Sequence, residues 1–333
     1  MSAISQNVSR EASSLMPADD TILSMVVSGR RRDGDALVVT LRPVDDRPLP
    51  PWEPGAHIDV LITPEITRQY SLCGHPADSA TWQIAVKHQP PPRGRGGSDH
   101  VHANWEVGTR VEVREPRNNF PVRDADDYLF IAGGIGITAL KPMIDSVEAA
   151  GKKWSLAYCG RSLSTMALRD ELAEYGDRVR FFPSDEQSRV DLGELLDTPV
   201  EGRLVYFCGP ESLLEAVQER SAAWPPGTLQ FERFTPQTHT LDEDAVSFEI
   251  ELAESGLSLT VPPHKTILEV LEENGVTLLS SCRAGVCGTC ETTVLEGIPD
   301  HRDSVLTDEE RASNETMMVC VSRCIGRRLV LDI

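Results

Sequence analysis

Basic residues are scarce in this 333-residue chain: 32 Lys and Arg stand against 52 Asp and Glu, a formal net charge of −20. That deficit argues against a nucleic-acid binder, which needs clustered cations to neutralise phosphates, and against docking on an anionic bilayer surface. Long apolar runs are missing too; none approaches the roughly 20 residues that a membrane-crossing helix needs. The opening stretch MSAISQNVSREASSLMPAD has no apolar h-region, so no secretory signal is expected and the expected location is cytoplasmic. The eight His residues form no metal pattern, and no G-x-S-x-G nucleophile elbow occurs. Internal repeats and low-complexity tracts are also absent. With 40% hydrophobic residues the chain is still globular, and its length suits two or three domains.

Three patterns follow one another along the chain. Between 20 and 122, short β-branched runs at 22–28, 36–42, 56–62, 82–88 and 109–115 are separated by the proline-rich stretches RPLPPWEPG and HQPPPRGRGG. Such runs predict a small antiparallel β-barrel or sandwich, because proline cannot donate to a central ladder. From 123 to 234, strands at 128–132, 154–158, 179–183 and 203–208 alternate with helices to about 150 and near 166–175, 191–196 and 211–222. Alternation of this kind predicts right-handed crossovers and an α/β unit with a parallel sheet. The segment TPQTHTLDED has no apolar periodicity, so 235–245 reads as a linker. Residues 246–333 form a small α+β unit with strands SFEIELA and LSLTV and a helix over 266–274.

The cysteines are uneven. Cys73, Cys159 and Cys208 are scattered, whereas Cys282, Cys287, Cys290, Cys320 and Cys324 crowd the last unit. Cys282, Cys287 and Cys290 have the C-x4-C-x2-C spacing of a plant-type [2Fe–2S] loop, in which three thiolates converge from one short segment. Gly285 and Gly288 allow the turns that bring N–H groups near the sulfurs. Structural zinc is the alternative, although it favours paired C-x2–4-C spacings set apart. Cys320 and Cys324 both lie within reach as a fourth ligand.

Two glycine-rich turns and one strand carry anion chemistry. Arg68-Gln69-Tyr70-Ser71-Leu72, expected at the start of a strand, offers a cation for a phosphate, an aromatic for a ring system and a hydroxyl. Alone it reads as an ordinary strand with one exposed Arg. Gly94-Arg95-Gly96-Gly97-Ser98 leads into a helix, and a glycine-rich helix N-terminus is a ready anion site. Gly133-Gly134-Ile135-Gly136-Ile137-Thr138 follows a strand and opens another helix, as a pyrophosphate site requires, though it is an incomplete G-x-G-x-x-G and would also serve as a tight βα turn. Cys208-Gly209-Pro210 ends a later strand in the same way.

Together these motifs carry a resemblance. CRAGVCGTC resembles the cluster loop of plant-type ferredoxins. LEGIPDHRDSVLTDEE and MMVCVSR look like the C-terminal ferredoxin domain of the phthalate dioxygenase reductase family, which includes vanillate demethylase reductases. The resemblance runs from about residue 20 to the C-terminus. It implies a flavin β-barrel, an NAD(P)H-binding α/β domain and a β-grasp ferredoxin domain. It also implies Cys320 as the fourth ligand, leaving Cys324 a small core residue or a bystander. Arg68, Gly96, Gly97 and Ser98 would take the FMN phosphate. Tyr70, Ser71, Leu72 and the strand Ala85-Val86-Lys87 would border the isoalloxazine, with Phe234 covering it, although Phe231 and Phe234 also read as a core pair. Domain order favours FMN over FAD. Gly133, Gly134, Gly136 and Thr138 would meet the nicotinamide cofactor's pyrophosphate, and Cys208, Gly209 and Pro210 its nicotinamide. Ala139 stands where many relatives have Pro, a departure expected to alter only the helix start.

Arg161 with Ser162 suits a 2′-phosphate, but Asp185 and Glu186 would repel one. NADH is therefore the expected donor and NADPH the alternative. The implied route is NADH to FMN to [2Fe–2S] to the Rieske non-haem iron component of an oxygenase. A cytochrome P450 partner, or a redox sensor in place of a carrier, are the other readings. No side-chain acid or base is required; Ser71 and Cys208 are positioning candidates. Residues 241–333 hold 18 acidic against 7 basic side chains, a net of −11. That acidity reads either as a solvated surface or as steering toward a basic acceptor.

Overall fold

The computed structural model describes residues 21–63, 66–90, 94, 96–186, 189–234 and 246–333; the expected linker 235–245 lies outside them. The first unit comprises β1 (Ile22–Asp33), β2 (Ala36–Pro43), β3 (His57–Thr63), β4 (Ile66–Ser71), β5 (Trp82–Lys87), α1 (Gly97–Asn104) and β6 (Arg110–Arg114). Its strands pair antiparallel in the order β4-β3-β6-β1-β2-β5. A bridge between Leu72 and Ile84 joins the end of β4 to β5 and closes the barrel. Alternation does the sorting: along β6, Val111 and Val113 are buried while Arg110 and Glu112 are exposed. The inward set, with Met25, Val39, Leu41, Ile58, Val60, Trp82 and Ile84, forms the core. Each fully buried aliphatic side chain contributes about 1.5–3 kcal/mol.

The second unit runs β7 (Asp127–Gly133), α2 (Ile137–Ala149), β8 (Lys153–Gly160), α3 (Arg169–Ala173), β9 (Val179–Pro183), α4 (Leu192–Leu196), β10 (Arg203–Cys208), α5 (Glu211–Arg220) and β11 (Leu229–Glu232). All its strands are parallel, in the order β11-β10-β7-β8-β9. After Asp127 the central strand β7 is apolar because helices cover both its faces: Phe130 packs with Leu140 and Met143, and Ile131 with Leu214 and Val217. Strand order reverses between β7 and β10, which opens a crevice at their carboxyl ends. The helix expected near 166–175 is shorter. It spans only Arg169–Ala173, between 3-10 turns at Leu163–Thr165 and Gly176–Arg178. A tertiary contact sets its start: Leu168, at φ 57, donates its N–H to Asp33 Oδ1 of the barrel at 3.2 Å.

The third unit contains β12 (Phe248–Leu252), β13 (Leu257–Val261), α6 (Ile267–Glu273), β14 (Glu291–Glu296), β15 (Pro299–Asp300), α7 (Asp308–Ser313), β16 (Thr316–Met318), β17 (Arg323–Cys324) and β18 (Arg328–Leu331). Its main sheet has the order β13-β12-β18-β14-β16, with β12 and β18 parallel and the other pairs antiparallel. The helix α6 starts at a capping box: Thr266 N donates to Glu269 Oε2 at 2.8 Å and Glu269 N to Thr266 Oγ1 at 3.1 Å. It then buries Ile267, Leu268 and Leu271 against Phe248, Ile250 and Leu331. Among the described residues, no helix is long and apolar enough to cross a membrane. Antiparallel barrel, parallel α/β sheet and α+β ferredoxin-like unit agree with the fold class expected from the sequence.

Candidate functional site

Four cysteines converge, three from the loop between α6 and β14 and one from the segment between β16 and β17. Cys282, Cys287, Cys290 and Cys320 are 8, 2, 3 and 3% exposed, and their thiols contact one another in the chain Cys287–Cys282–Cys320–Cys290. The loop reaches this shape through left-handed residues, Arg283 at φ 54, Gly285 at 67 and Gly288 at 76. At Gly285 a Cβ would also meet Val321 Cγ2 at 2.6 Å, so only glycine fits. Backbone N–H groups point at the sulfurs as the glycine spacing predicts: Ala284 N donates to Cys282 Sγ at 3.3 Å, and Val286 and Gly285 bond Cys282 and Cys320. Cys324 stands apart on β17, its sulfur engaged by Gly326 N at 3.2 Å and by Arg328 O.

A two-iron cluster takes two thiolates per iron, and three cysteines from a C-x4-C-x2-C loop with one distant cysteine supply that set. Cys320 is pushed up to about 12: its bond to Cys282 lowers it, but its bond to Cys290 and burial outweigh that. Cys320 is therefore protonated at neutral pH when free, and binding iron must expel that proton.

Beside this loop lies a cavity of about 250 Å³ to which all three units contribute walls. From the barrel come Arg68, Tyr70 and Ser71 on β4, Ala85 and Lys87 on β5, and Gly97 and Ser98 on α1. The β4 motif occupies the second half of its strand, not the start, because β4 already begins at Ile66. Gly96, at φ 83, caps α1 with no side chain. A Cβ at Gly97 would sit 3.0 Å from Arg68 Cγ and 3.2 Å from Nε, so glycine lets the arginine lie along the first turn. Cation and helix N-terminus then share one end of the cavity, an arrangement suited to a phosphate. Ser98 Oγ accepts from Gln89 N at 3.0 Å, tying the turn to the segment after β5. Leu72 and Val86 point the other way, into the barrel core.

From the second unit come Ile135, Thr138, Glu232, Arg233 and Phe234, and from the cysteine loop Cys282, Ala284 and Val286. Phe234 is 41% exposed, so it is no core partner of Phe231. The two βα turns meet backbone to backbone: a Cβ on Gly133 would lie 2.4 Å from Pro210 Cδ, and one on Gly136 2.2 Å from Cys208 O. Gly134 sits at φ 56, and Thr138 Oγ1 donates to Ile135 O at 2.9 Å, ordering the entry to α2. Cys208 is fully buried in the core, and its contribution is packing beneath the turn. Just past the end of β8, the carbonyl of exposed Arg161 accepts a bond from Asp185 N at 2.9 Å, which brings Asp185 and Glu186 beside it.

Comparison with known proteins settles the lineage. Residues 250–324 match the 2Fe-2S iron-sulfur cluster binding domain. The chain is 42% identical over 301 residues to phenoxybenzoate dioxygenase subunit beta of Ectopseudomonas oleovorans, covering 90% of this chain and 93% of that one. The structure of phthalate dioxygenase reductase, a modular protein for electron transfer from pyridine nucleotides to [2Fe–2S], superposes with a TM-score of 0.68. It is 35% identical over 94% of this chain and 98% of its own. This chain belongs to the phthalate dioxygenase reductase family. An intact type IV self-sufficient cytochrome P450 monooxygenase matches this reductase with a TM-score of 0.89 and 44% identity over 94% of its length. The reductase spans 41% of that longer chain.

The structure adds lining residues of the reductase that the sequence did not single out, among them His57, Gln89 and Glu232. Glu232 Oε2 is buried without a hydrogen-bond partner, and burial pushes the carboxyl from 4.5 up to about 8. At pH 7 the side chain therefore holds a proton at the cavity wall. Its signal was the register, which pairs Glu232 with Cys208 across β11 and β10. Because the folded carboxyl binds its proton more tightly than the unfolded one, stability falls as pH rises from about 4.5 through about 8. Glu232→Gln removes that dependence. Its melting temperature relative to the parent is expected to climb between about pH 5 and about pH 8.5, and a flat difference would show that the folded carboxyl ionises without cost.

Proposed function

We propose that this reductase carries electrons from NADH through FMN to a [2Fe–2S] cluster, and from there to the Rieske-type terminal oxygenase of its system. The observation that carries this reading is one cavity where Arg68 and the first turn of α1, Ile135 and Thr138 of the turn after β7, and Cys282 of the cysteine quartet meet. Bound flavin supplies the exchange between paired and single electrons. The chain's own residues do the positioning. Arg68 and the first turn of α1 hold the phosphate end, Tyr70 and Ala85 wall the ring end, and Phe234 sits over the cavity mouth. Ser71 orients the ring edge. Gly133, Gly134 and Gly136 admit the pyrophosphate at the start of α2, while Gly209 and Pro210 shape the nicotinamide's approach. Asp185 and Glu186 beside Arg161 favour NADH over NADPH.

The three tasks fall on residues 20–122, 123–234 and 246–333, and the protein works in the cytoplasm. The acidic third unit steers the cluster toward a basic partner. A cytochrome P450 acceptor is the second reading, favoured by the 44% identity to the self-sufficient monooxygenase.

Anaerobic NADH is expected to bleach the flavin of the holoprotein and then raise a one-electron cluster signal, with kcat/KM for NADH at least about tenfold above that for NADPH. Electron transfer to the cognate oxygenase is expected to slow severalfold as salt shortens the Debye length from about 10 Å towards about 3 Å. Reduction by NADPH alone would reverse the nucleotide assignment, and salt-independent transfer would remove the steering.

A further inference from the structure

An ionic bridge runs from inside the barrel to the cysteine loop. Asp59 on β3 is completely buried. Its Oδ2 accepts from Arg117 Nη2 at 2.7 Å, and its Oδ1 from Gln69 Nε2 at 2.7 Å. The Arg117 backbone is pinned by reciprocal bonds with His57, of 2.9 and 3.0 Å, so the guanidinium has a fixed base. Arg117 Nη2 spends its second proton on Thr289 Oγ1 of the cysteine loop, at 2.9 Å. Thr289 Oγ1 in turn lies 3.1 Å from Cys287 Sγ. Two further bonds cross the same junction, Gln69 Nε2 to Ser281 Oγ and Asn119 Nδ2 to Cys287 O, the latter 3.1 Å long.

The direction of this chain follows from its chemistry. A guanidinium has donors only, so Thr289 must accept from Arg117, and its single hydroxyl proton is left for Cys287 Sγ. A hydroxyl polarised by a cation is a stronger donor than a free one. Hydrogen bonds to cluster sulfurs stabilise the reduced form and set the potential.

We infer that Asp59, Arg117 and Thr289 form a positioning relay through which the barrel delivers a hydrogen bond to cluster ligand Cys287, making the cluster easier to reduce while its loop is seated on the barrel. The inference rests on the reading of the quartet as a [2Fe–2S] site. It makes the acceptor's potential depend on residues of the unit that holds the electron donor.

The test is an EPR-monitored redox titration of the full-length holoprotein. At the parent cluster's midpoint, Thr289→Val is expected to lower the ratio of reduced to oxidised cluster about tenfold, which is about 59 mV for a one-electron couple. Thr289→Ser, which keeps the hydroxyl, is expected to hold the parent ratio, and the flavin midpoint is expected not to move. Arg117→Gln is expected to shift the cluster in the same direction as Thr289→Val. The double variant is expected to fall no further than Thr289→Val alone, because the two residues act in series. Should Arg117→Gln fail to fold around the buried Asp59 carboxylate, the Thr289 pair decides alone. An unchanged potential in Thr289→Val, or additive shifts in the double variant, would overturn the relay. A parent chain with no two-iron signal would overturn the cluster reading itself, a separate result.

Discussion

Cys287→Ser is expected to leave NADH-driven reduction of ferricyanide within about twofold of the parent, while cytochrome c reduction falls by about a hundredfold or more. Ferricyanide can draw electrons at the cavity, where Tyr70, Phe234 and the nucleotide turns remain untouched. Cytochrome c is expected to accept from the cluster, which on the proposed ligand assignment needs all four thiolates. The position is unforgiving: Cys287 is 2% exposed, touches Cys282 and Thr289 Oγ1, and has its carbonyl held by Asn119. A serine oxygen is a harder, shorter ligand, poorly matched to iron–sulfur bonding. Parallel assays with both acceptors, together with iron content, check the prediction. Undiminished cytochrome c reduction by a chain that has lost its iron would sink the proposed route. Cys324→Ser is the natural control, because that sulfur bonds Gly326 and Arg328 and not the quartet.

The second large effect belongs to Gly136→Ala. The glycine has φ −59 and ψ −15, which any residue adopts, so the cost is purely steric. A Cβ there would meet Cys208 O at 2.2 Å, its carbonyl carbon at 2.5 Å and Gly209 N at 2.9 Å, all backbone atoms that cannot swing aside. The turns after β7 and β10 must separate, straining the centre of the parallel sheet. Overpacking of this kind costs about 1–3 kcal/mol. Because both turns are proposed to form the nicotinamide approach, KM for NADH is expected to rise about tenfold or more, with the dithionite-reduced cluster spectrum unchanged. Thermal melting and NADH titration read the two effects separately. A normal KM in a destabilised variant would detach these turns from nucleotide binding. Gly29→Ala, whose nearest neighbour would be Thr40 Oγ1 at an ordinary 3.4 Å, is a control expected to be much milder.

Much of the architecture was legible in the sequence because local patterning and tertiary structure agree. Period-two alternation in RVEVR and the unbroken apolar run YLFIA distinguish a half-exposed barrel strand from a strand covered on both faces. The C-x4-C-x2-C loop was legible because its chemistry is confined to nine residues. Less of the third unit could be read, since β15, β16 and β17 have only two or three residues each and too few repeats to show a period. One available signal went unused there. Thr307 and Glu310 form a capping box, written plainly as T-D-E-E, that opens α7. The junction residues left no local trace. Arg117 meets Asp59 across 58 positions and Thr289 across 172, so neither contact has a spacing to recognise. The start of α3 was likewise set by Asp33, 135 residues away.

A cavity walled by three separately cored units has a consequence for the protein's lifetime. Any molecule that binds only where the walls meet stabilises the assembled chain by mass action, by about 1.4 kcal/mol for each tenfold excess over its Kd. If flavin occupies this cavity as proposed, its supply is expected to set how firmly the cysteine loop stays seated on the barrel, and flavin-free chains are expected to be cleaved faster in limited proteolysis.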